Sequence, residues 1–142
     1  MCDGYDRCIH DNLVLRYTVD RVSRTLRIET SSGDPSPEYT DVLFHDVMAY
    51  VLENDSLELG TILDGIEKRP GTDALKWSPE AFESGRAFAW PGWWNENADK
   101  AKEHIESSGV HAFEISSSVG LSGWVLASKM DLLPGGAPAS TN

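Results

Sequence analysis

The sequence has no lysine or arginine between Ile28 and Glu67, although ten acidic residues lie in that stretch. Five of the seven arginines precede it, so the two signs of charge are separated along the chain. The net charge is −11, from 12 basic and 23 acidic side chains. This balance disfavours binding to nucleic acid, because phosphate contacts require lysine and arginine, and binding to anionic membrane surfaces. A shared acidic surface would instead attract a cationic partner.

Cysteine and long apolar runs are also scarce. Cys2 and Cys8 are the two cysteines, too few for a disulfide framework or a four-thiolate zinc site. No apolar run approaches the roughly 20 residues that a membrane-spanning helix needs. The acidic start of the sequence lacks the basic and apolar segments of a secretion signal. We therefore expect a cytoplasmic protein that binds no membrane and uses no cofactor.

Motifs for catalysis are missing as well. The serine in residues 120–123 lacks the Gly-x-Ser-x-Gly spacing of a nucleophile elbow, and no glycine-rich phosphate loop occurs. Two dipeptides, His10-Asp11 and His45-Asp46, contain residue types that bind metals and that metal-dependent phosphohydrolases use. Adjacent residues of a strand point to opposite faces, so one dipeptide would rarely supply two ligands. These four residues are weak candidates, and we expect neither a metal site nor an enzyme.

Alternating apolar and polar residues predict two β-hairpins, one near each end of the chain. Residues 13–19 and 25–30 form the first hairpin, and residues 110–116 and 123–129 form the second. Residues 39–52 are rich in β-branched and aromatic side chains. This favours a strand over the alternative helix at 41–52, with a bulge or break where Asp46 interrupts the apolar face.

The first strand is predicted to carry apolar side chains on one face. In the second strand, Leu26 and Ile28 are predicted to point inward. The residues that share the face of the first strand are Leu13, Leu15, Tyr17 and Val19.

One clear amphipathic helix is predicted at residues 95–107, where apolar residues recur at the helical period and Gly109 ends the pattern. Residues 79–83 are predicted as a single helical turn, and residues 57–66 as a short strand or an irregular turn. This order indicates a mainly β or α+β fold. We expect a twisted antiparallel sheet or small sandwich with one amphipathic helix packed against it. This domain covers residues 1–133, and a disordered tail covers 134–142.

Residues 88–94 place four large aromatic side chains around a Pro-Gly pair. Clustered tryptophans form carbohydrate platforms or the anchors of protein interfaces. The favoured interpretation is a loop that covers one end of the core. Exposure of two or more of the rings would favour an interface instead.

The order of several short segments resembles that of a group of small uncharacterised bacterial domains. Some members of this group resemble immunity proteins that neutralise a cognate toxin. The resemblance covers about half the chain and implies a β-rich fold and non-catalytic protein binding. The segments that carry it are residues 10–13, 42–50, 113–117 and 120–127.

We therefore predict a non-catalytic protein-binding domain, an immunity-like inhibitor whose acidic surface covers a basic partner protein. The first alternative is a small-molecule or carbohydrate-binding module with tryptophans lining its pocket. The others are a metal-dependent hydrolase using the two His-Asp dipeptides and a structural homo-oligomer formed through an exposed strand edge. The predicted binding residues are Asp41, Asp46, Glu53, Asp55, Glu58, Trp90 and Trp93.

Overall fold

The computed structural model describes residues 9–33 and 35–137. Cys2, Cys8 and residues 138–142 of the predicted tail lie outside this part of the chain. The strands are β1 (Leu13–Asp20), β2 (Thr25–Ser31), β3 (Tyr39–His45), β4 (Ala49–Glu53), β5 (Thr61–Pro70), β6 (His111–Val119), β7 (Ser122–Ala127) and β8 (Lys129–Pro134). The helices are α1 (Asp73–Trp77), α2 (Pro79–Gly85), a 3₁₀ turn (Arg86–Phe88) and α3 (Ala98–Ser108).

All eight strands belong to one open antiparallel sheet with the order β4-β7-β6-β5-β1-β2-β3-β8. The two outermost strands, β4 and β8, each follow an inner strand along the chain. β4 follows β3, and β8 follows β7. The β3–β8 and β4–β7 pairs therefore lie end to end, with His45 opposite Lys129 and Ala49 opposite Leu126. Residues 39–53 (β3 and β4) and residues 122–134 (β7 and β8) each contribute one strand to each end of the sheet. Because the same two segments form both ends, the sheet must coil strongly.

The concave face of the sheet encloses the first hydrophobic core. Phe44 of β3 and Phe113 of β6 meet at its centre, with ring centroids 5.5 Å apart. The other buried residues of this core are Ile9, Leu26, Ile28, Val42, Leu63, Ile115, Val125 and Ala127.

A second core lies on the opposite face, where the helices pack against β4, β6 and β7. Trp124 and Leu126 alternate along β7 with Val125, so they point away from the first core and toward the helices. Phe82 of α2 stacks on Trp124 at 5.8 Å, and Ile105 of α3 is buried in the same cluster. The helical layer thus covers only one end of the sheet.

The predicted mainly β fold and both predicted hairpins are confirmed, as β1–β2 and β6–β7. The amphipathic helix is confirmed as α3: the Asn97 side chain accepts a hydrogen bond from Lys100 N, and Gly109 ends the helix at φ +76°. The predicted break in the strand at 39–52 falls at Asp46, whose φ is +50°. The fold contains one coiled sheet rather than a sandwich.

Two segments differ from the prediction. Residues 61–70 form the ten-residue strand β5, because pairing with β6 overrides the weak local pattern and the glycines. The predicted helical turn at 79–83 is confirmed as part of α2, but the helical layer also contains the unpredicted α1. Burial of Ala74 and Phe82 stabilises these two helices, which are too short to form alone. None of the described helices is long and apolar enough to cross a membrane.

Candidate functional site

The sheet has a gap between β1 and β5. These two strands pair only where Leu13 lies opposite Ile62 and Val14 lies opposite Thr61. Pairing of β1 with β2, in contrast, continues to Asp20. In the described part of the chain, residues 15–20 therefore have a neighbouring strand on one side only. Their outward backbone groups form an edge that an extended segment of another molecule can pair with.

Apolar side chains follow this edge. Tyr17 lies opposite Ile28 and Val19 opposite Leu26, so both face the side of the first core. Ile28 and Leu26 are fully buried, whereas Tyr17 and Val19 stay 37% and 43% exposed. Tyr17 and Val19 are thus partly uncovered, because β5 begins at Thr61, opposite Val14, and does not extend beside them. The prediction that Leu13 shares the face of Tyr17 and Val19 is wrong. A bulge at Leu15 shifts the register, so Val14 lies on that face and packs against the first core instead.

The loop at residues 54–60 lies across the gap from β1. All of its residues are exposed, including Leu57, which is fully exposed, and Leu59. The Tyr17 hydroxyl donates to Asp55 Oδ2 at 3.2 Å, and the Glu58 N–H donates to Ser56 Oγ at 3.2 Å. Partial burial, together with the nearby Asp55 carboxylate, raises the pKa of Tyr17. A cleft of about 570 Å³ separates the loop from residues 14–17 of β1. We call residues 15–20 and 54–60 the edge surface.

Antiparallel pairing neutralises part of the acidic block with the arginines that precede it. Arg16 Nε lies 2.9 Å from Glu29 Oε2 across β1 and β2. Arg27 forms an ion pair with Asp41 across β2 and β3, and Asp41 is only 8% exposed. The prediction that Asp41 contributes to an exposed acidic surface is therefore wrong, because strand pairing buries it beside a cation.

The other predicted acidic residues are exposed but lie at the two ends of β4. Asp46 precedes β4 and accepts a hydrogen bond from Ser128 Oγ at 2.8 Å. Glu53 ends β4, and Asp55 and Glu58 follow in the loop. The five residues of β4 extend roughly 16 Å at about 3.3 Å per residue. Glu53, Asp55 and Glu58 are therefore neighbours, and Asp46 is separate from them.

The aromatic segment at 88–94 divides between the second core and the solvent. Trp90 packs on Phe82 with ring centroids 5.3 Å apart, and Trp94 stacks on His104 at 4.6 Å. Phe88 and Trp93 are 85% and 86% exposed. The interpretation as a loop covering the core thus fits Trp90 and Trp94. The two exposed rings meet the condition that favours an interface.

Trp90 also lines a cleft of about 580 Å³ beside the turn between β1 and β2. Arg21, Arg24 and Tyr50 line the same cleft. This cleft brings Trp90 together with two guanidinium groups, whereas the acidic loop lies beyond the other end of β4. Trp90 and the residues Glu53, Asp55 and Glu58 therefore do not form one surface.

Asn95 holds the aromatic segment on α2. Its side chain is buried, and Nδ2 donates to the carbonyl oxygens of Phe82 at 2.7 Å and Trp90 at 3.0 Å. Asn95→Ala leaves both buried acceptors without a donor, so we expect the free energy of unfolding to fall by about 1–3 kcal/mol. Urea unfolding followed by circular dichroism measures this change. An unchanged unfolding midpoint would show that the segment does not depend on these bonds.

The His-Asp dipeptides take part in separate contacts. His10 Nδ1 donates to the Asp64 carbonyl oxygen of β5 at 2.8 Å, and His10 Nε2 lies 3.5 Å from Asp11 Oδ2. His45 Nε2 donates to Asp131 Oδ2 of β8 at 2.8 Å. Within residues 9–33 and 35–137, no group of three or more His, Cys, Asp or Glu side chains is placed to hold a metal ion. The described geometry thus gives the hydrolase hypothesis no support.

No protein-family model matches the chain, and no curated protein or solved structure matches it either. The surfaces of the molecule are therefore the evidence for its function.

Two features of these surfaces were missed in the sequence. The open edge of β1 depends on where β5 stops pairing, which is a long-range property without a local signal. The second is a concave site that joins Glu53 to Trp77, Glu114 and Trp124 from distant parts of the chain. In this site, Glu114 also faces the like charge of Glu67 across β5 and β6. This pairing cannot be inferred before the strand register is known.

Proposed function

We propose that the protein is a non-catalytic protein-binding domain that binds a basic partner through its edge surface, in the manner of an immunity-like inhibitor. One observation carries this proposal: an edge of β1 that the described residues leave unpaired lies beside an exposed loop that displays both leucines and carboxylates. An isolated domain gains nothing from exposing such a loop, whereas burial of one leucine side chain contributes about 1.5–3 kcal/mol to association.

The charge of the loop supports a basic partner. Asp55 and Glu58 are exposed, and no ion pair in the described part of the chain includes either of them. Two copies of this chain would bring identical acidic loops together, which disfavours self-association through this surface. A cationic segment beside β1 would pair with the backbone edge and meet the carboxylates at the same time. The carboxylates would chiefly accelerate association.

The test begins with the wild-type protein, immobilised and exposed at low and high salt to a lysate of the cells that make it naturally. The captured protein is then purified, and its association and dissociation rates are measured with the wild type and with the double variant Asp55→Lys/Glu58→Lys. We expect the variant to bind at least tenfold more weakly, a change of about 1.4 kcal/mol. Most of the loss should appear in the association rate.

The matched control is Glu103→Lys/Glu106→Lys on the exposed side of α3, which changes the net charge by the same amount. It should bind within twofold of the wild type. Equal losses in the two variants would mean that only net charge matters, and no loss in the loop variant would remove the edge surface from the interface. Glu53 stays unchanged in both proteins, so the substitutions leave the lining of the concave site at the end of β4 intact.

A further inference from the structure

A concave site of about 440 Å³ lies on the helix-covered face of the sheet, at the end of β4. The junction between α1 and α2 forms one wall, through Trp77 and Ser78. Strands β4, β7 and β6 form the floor, through Glu53, Trp124 and Glu114. The site therefore collects two carboxylates and two indole rings from four elements.

The register of the strands places these side chains on one face. Glu114 lies opposite Trp124, and Trp124 lies opposite Val51. Glu53, two residues beyond Val51, lies opposite Ser122 and shares the face of Val51. The two carboxylates thus stand on either side of β7, on strands about 10 Å apart, which is twice the spacing of neighbouring strands.

Trp124 is fixed at the base of the site. It is 2% exposed, its Nε1 donates to Ser78 Oγ at 2.9 Å, and its ring stacks on Phe82 with an interplanar angle of 9°. Trp77 is half-buried and provides the second indole. Trp77 is therefore the indole that a flat cation can stack on, and the buried Trp124 holds the base of the site rigid.

The charge of the site is unbalanced. Its lining contains no lysine, arginine or histidine. Among the ion pairs of the described residues, none includes Glu53 or Glu114. Glu80 adds a third carboxylate in an adjoining cleft that shares Glu53, Trp77 and Ser78. Glu67 faces Glu114 across β5 and β6, although it also pairs with Arg69 at 2.6 Å. Like charges in this arrangement repel each other, and a bound cation would relieve the repulsion.

We propose that this site, formed by Glu53, Glu114, Trp77 and Trp124, binds a guanidinium group. A guanidinium is planar, carries five N–H donors and stacks on aromatic rings, so it suits two carboxylates beside the Trp77 indole better than a compact ammonium does. The group can belong to a free small molecule or to an arginine side chain of another protein. The site adjoins the edge surface at Glu53 but shares no lining residue with the cleft beside β1, and it does not depend on the function proposed for that surface.

The test is a titration of the ¹⁵N-labelled protein with arginine amide and with citrulline amide, its neutral near-isostere. We expect saturable shifts of the Trp77 and Trp124 indole N–H signals with arginine amide only, after assignment with Trp77→Phe. Glu53→Gln/Glu114→Gln should weaken binding at least tenfold. Glu103→Gln/Glu106→Gln on α3 should change it less than twofold.

Equal shifts with citrulline amide, an absence of saturable shifts, or unchanged binding in Glu53→Gln/Glu114→Gln would overturn the proposal. Should the double variant fail to fold, the single variants Glu53→Gln and Glu114→Gln provide the same comparison. A pentapeptide with a central arginine distinguishes the two sources of the group. Binding of the peptide would support an arginine of a partner protein, and binding of arginine amide alone would support a free small molecule.

Discussion

Replacing Phe113 with alanine should lower the free energy of unfolding by about 3–5 kcal/mol. Phe113 is 2% exposed and packs against Phe44 at the centre of the first core. The substitution removes a large buried ring and leaves a cavity that the coiled sheet cannot easily collapse around, because strands on all sides are fixed by their ladders. Urea unfolding followed by circular dichroism gives the change directly.

Val119→Ala on the same strand is the matched control. Val119 is 39% exposed at the end of β6, so its truncation should change the free energy of unfolding by no more than about 0.5 kcal/mol. A small effect of Phe113→Ala would mean that the concave face of the sheet does not enclose the main core. The architecture described above would then be wrong.

The sequence predicted the elements whose formation depends on neighbouring residues. The β1–β2 hairpin forms between two alternating segments, and α3 has both its Asn97 cap and its Gly109 terminator within a few residues of its apolar stripe. The break at Asp46 was also visible, because one acidic residue interrupts an apolar face. In each case local pattern and tertiary packing favour the same structure.

β5 and the gap beside β1 could not be predicted in this way. β5 pairs along most of its length with β6, more than 40 residues away, but meets β1 at only two positions. Neither limit is encoded in residues 57–66, whose pattern fits a short strand or an irregular turn equally well. Long-range pairing decided both the length of β5 and the exposure of Tyr17 and Val19.

The acidic block shows why charge along a sequence does not translate directly into charge on a surface. Two of the arginines before the block, Arg16 on β1 and Arg27 on β2, lie beside acids of the block, Glu29 across β1–β2 and Asp41 across β2–β3. Asp41 is neutralised in this way and buried. Asp55 and Glu58 escape because they lie in a loop that pairs with no strand of the described residues and forms no ion pair there. The exposed acidic surface is therefore smaller than the sequence indicates.

Replacing Gly123 with alanine should destabilise the protein by about 2–4 kcal/mol and detach β4 from β7. Gly123 lies opposite Leu52 at φ +147°, a conformation that residues with a Cβ rarely adopt. An added Cβ would sit 1.9 Å from the Val51 carbonyl oxygen, which is part of the backbone and cannot rotate away. The strands must separate locally, so the change should appear both in urea unfolding and in faster hydrogen exchange along β4.

Gly65→Ala in β5 is the control, because its Cβ would meet no atom within 4 Å and its φ is not positive. It should leave stability unchanged or raise it slightly, since alanine restricts the unfolded chain. Gly123→Ala should also abolish the response of the Trp124 indole to arginine amide, because Glu53 moves with β4. If Gly123→Ala lost stability but kept that response, pairing of β4 with β7 would not be needed to hold Glu53 in the guanidinium site.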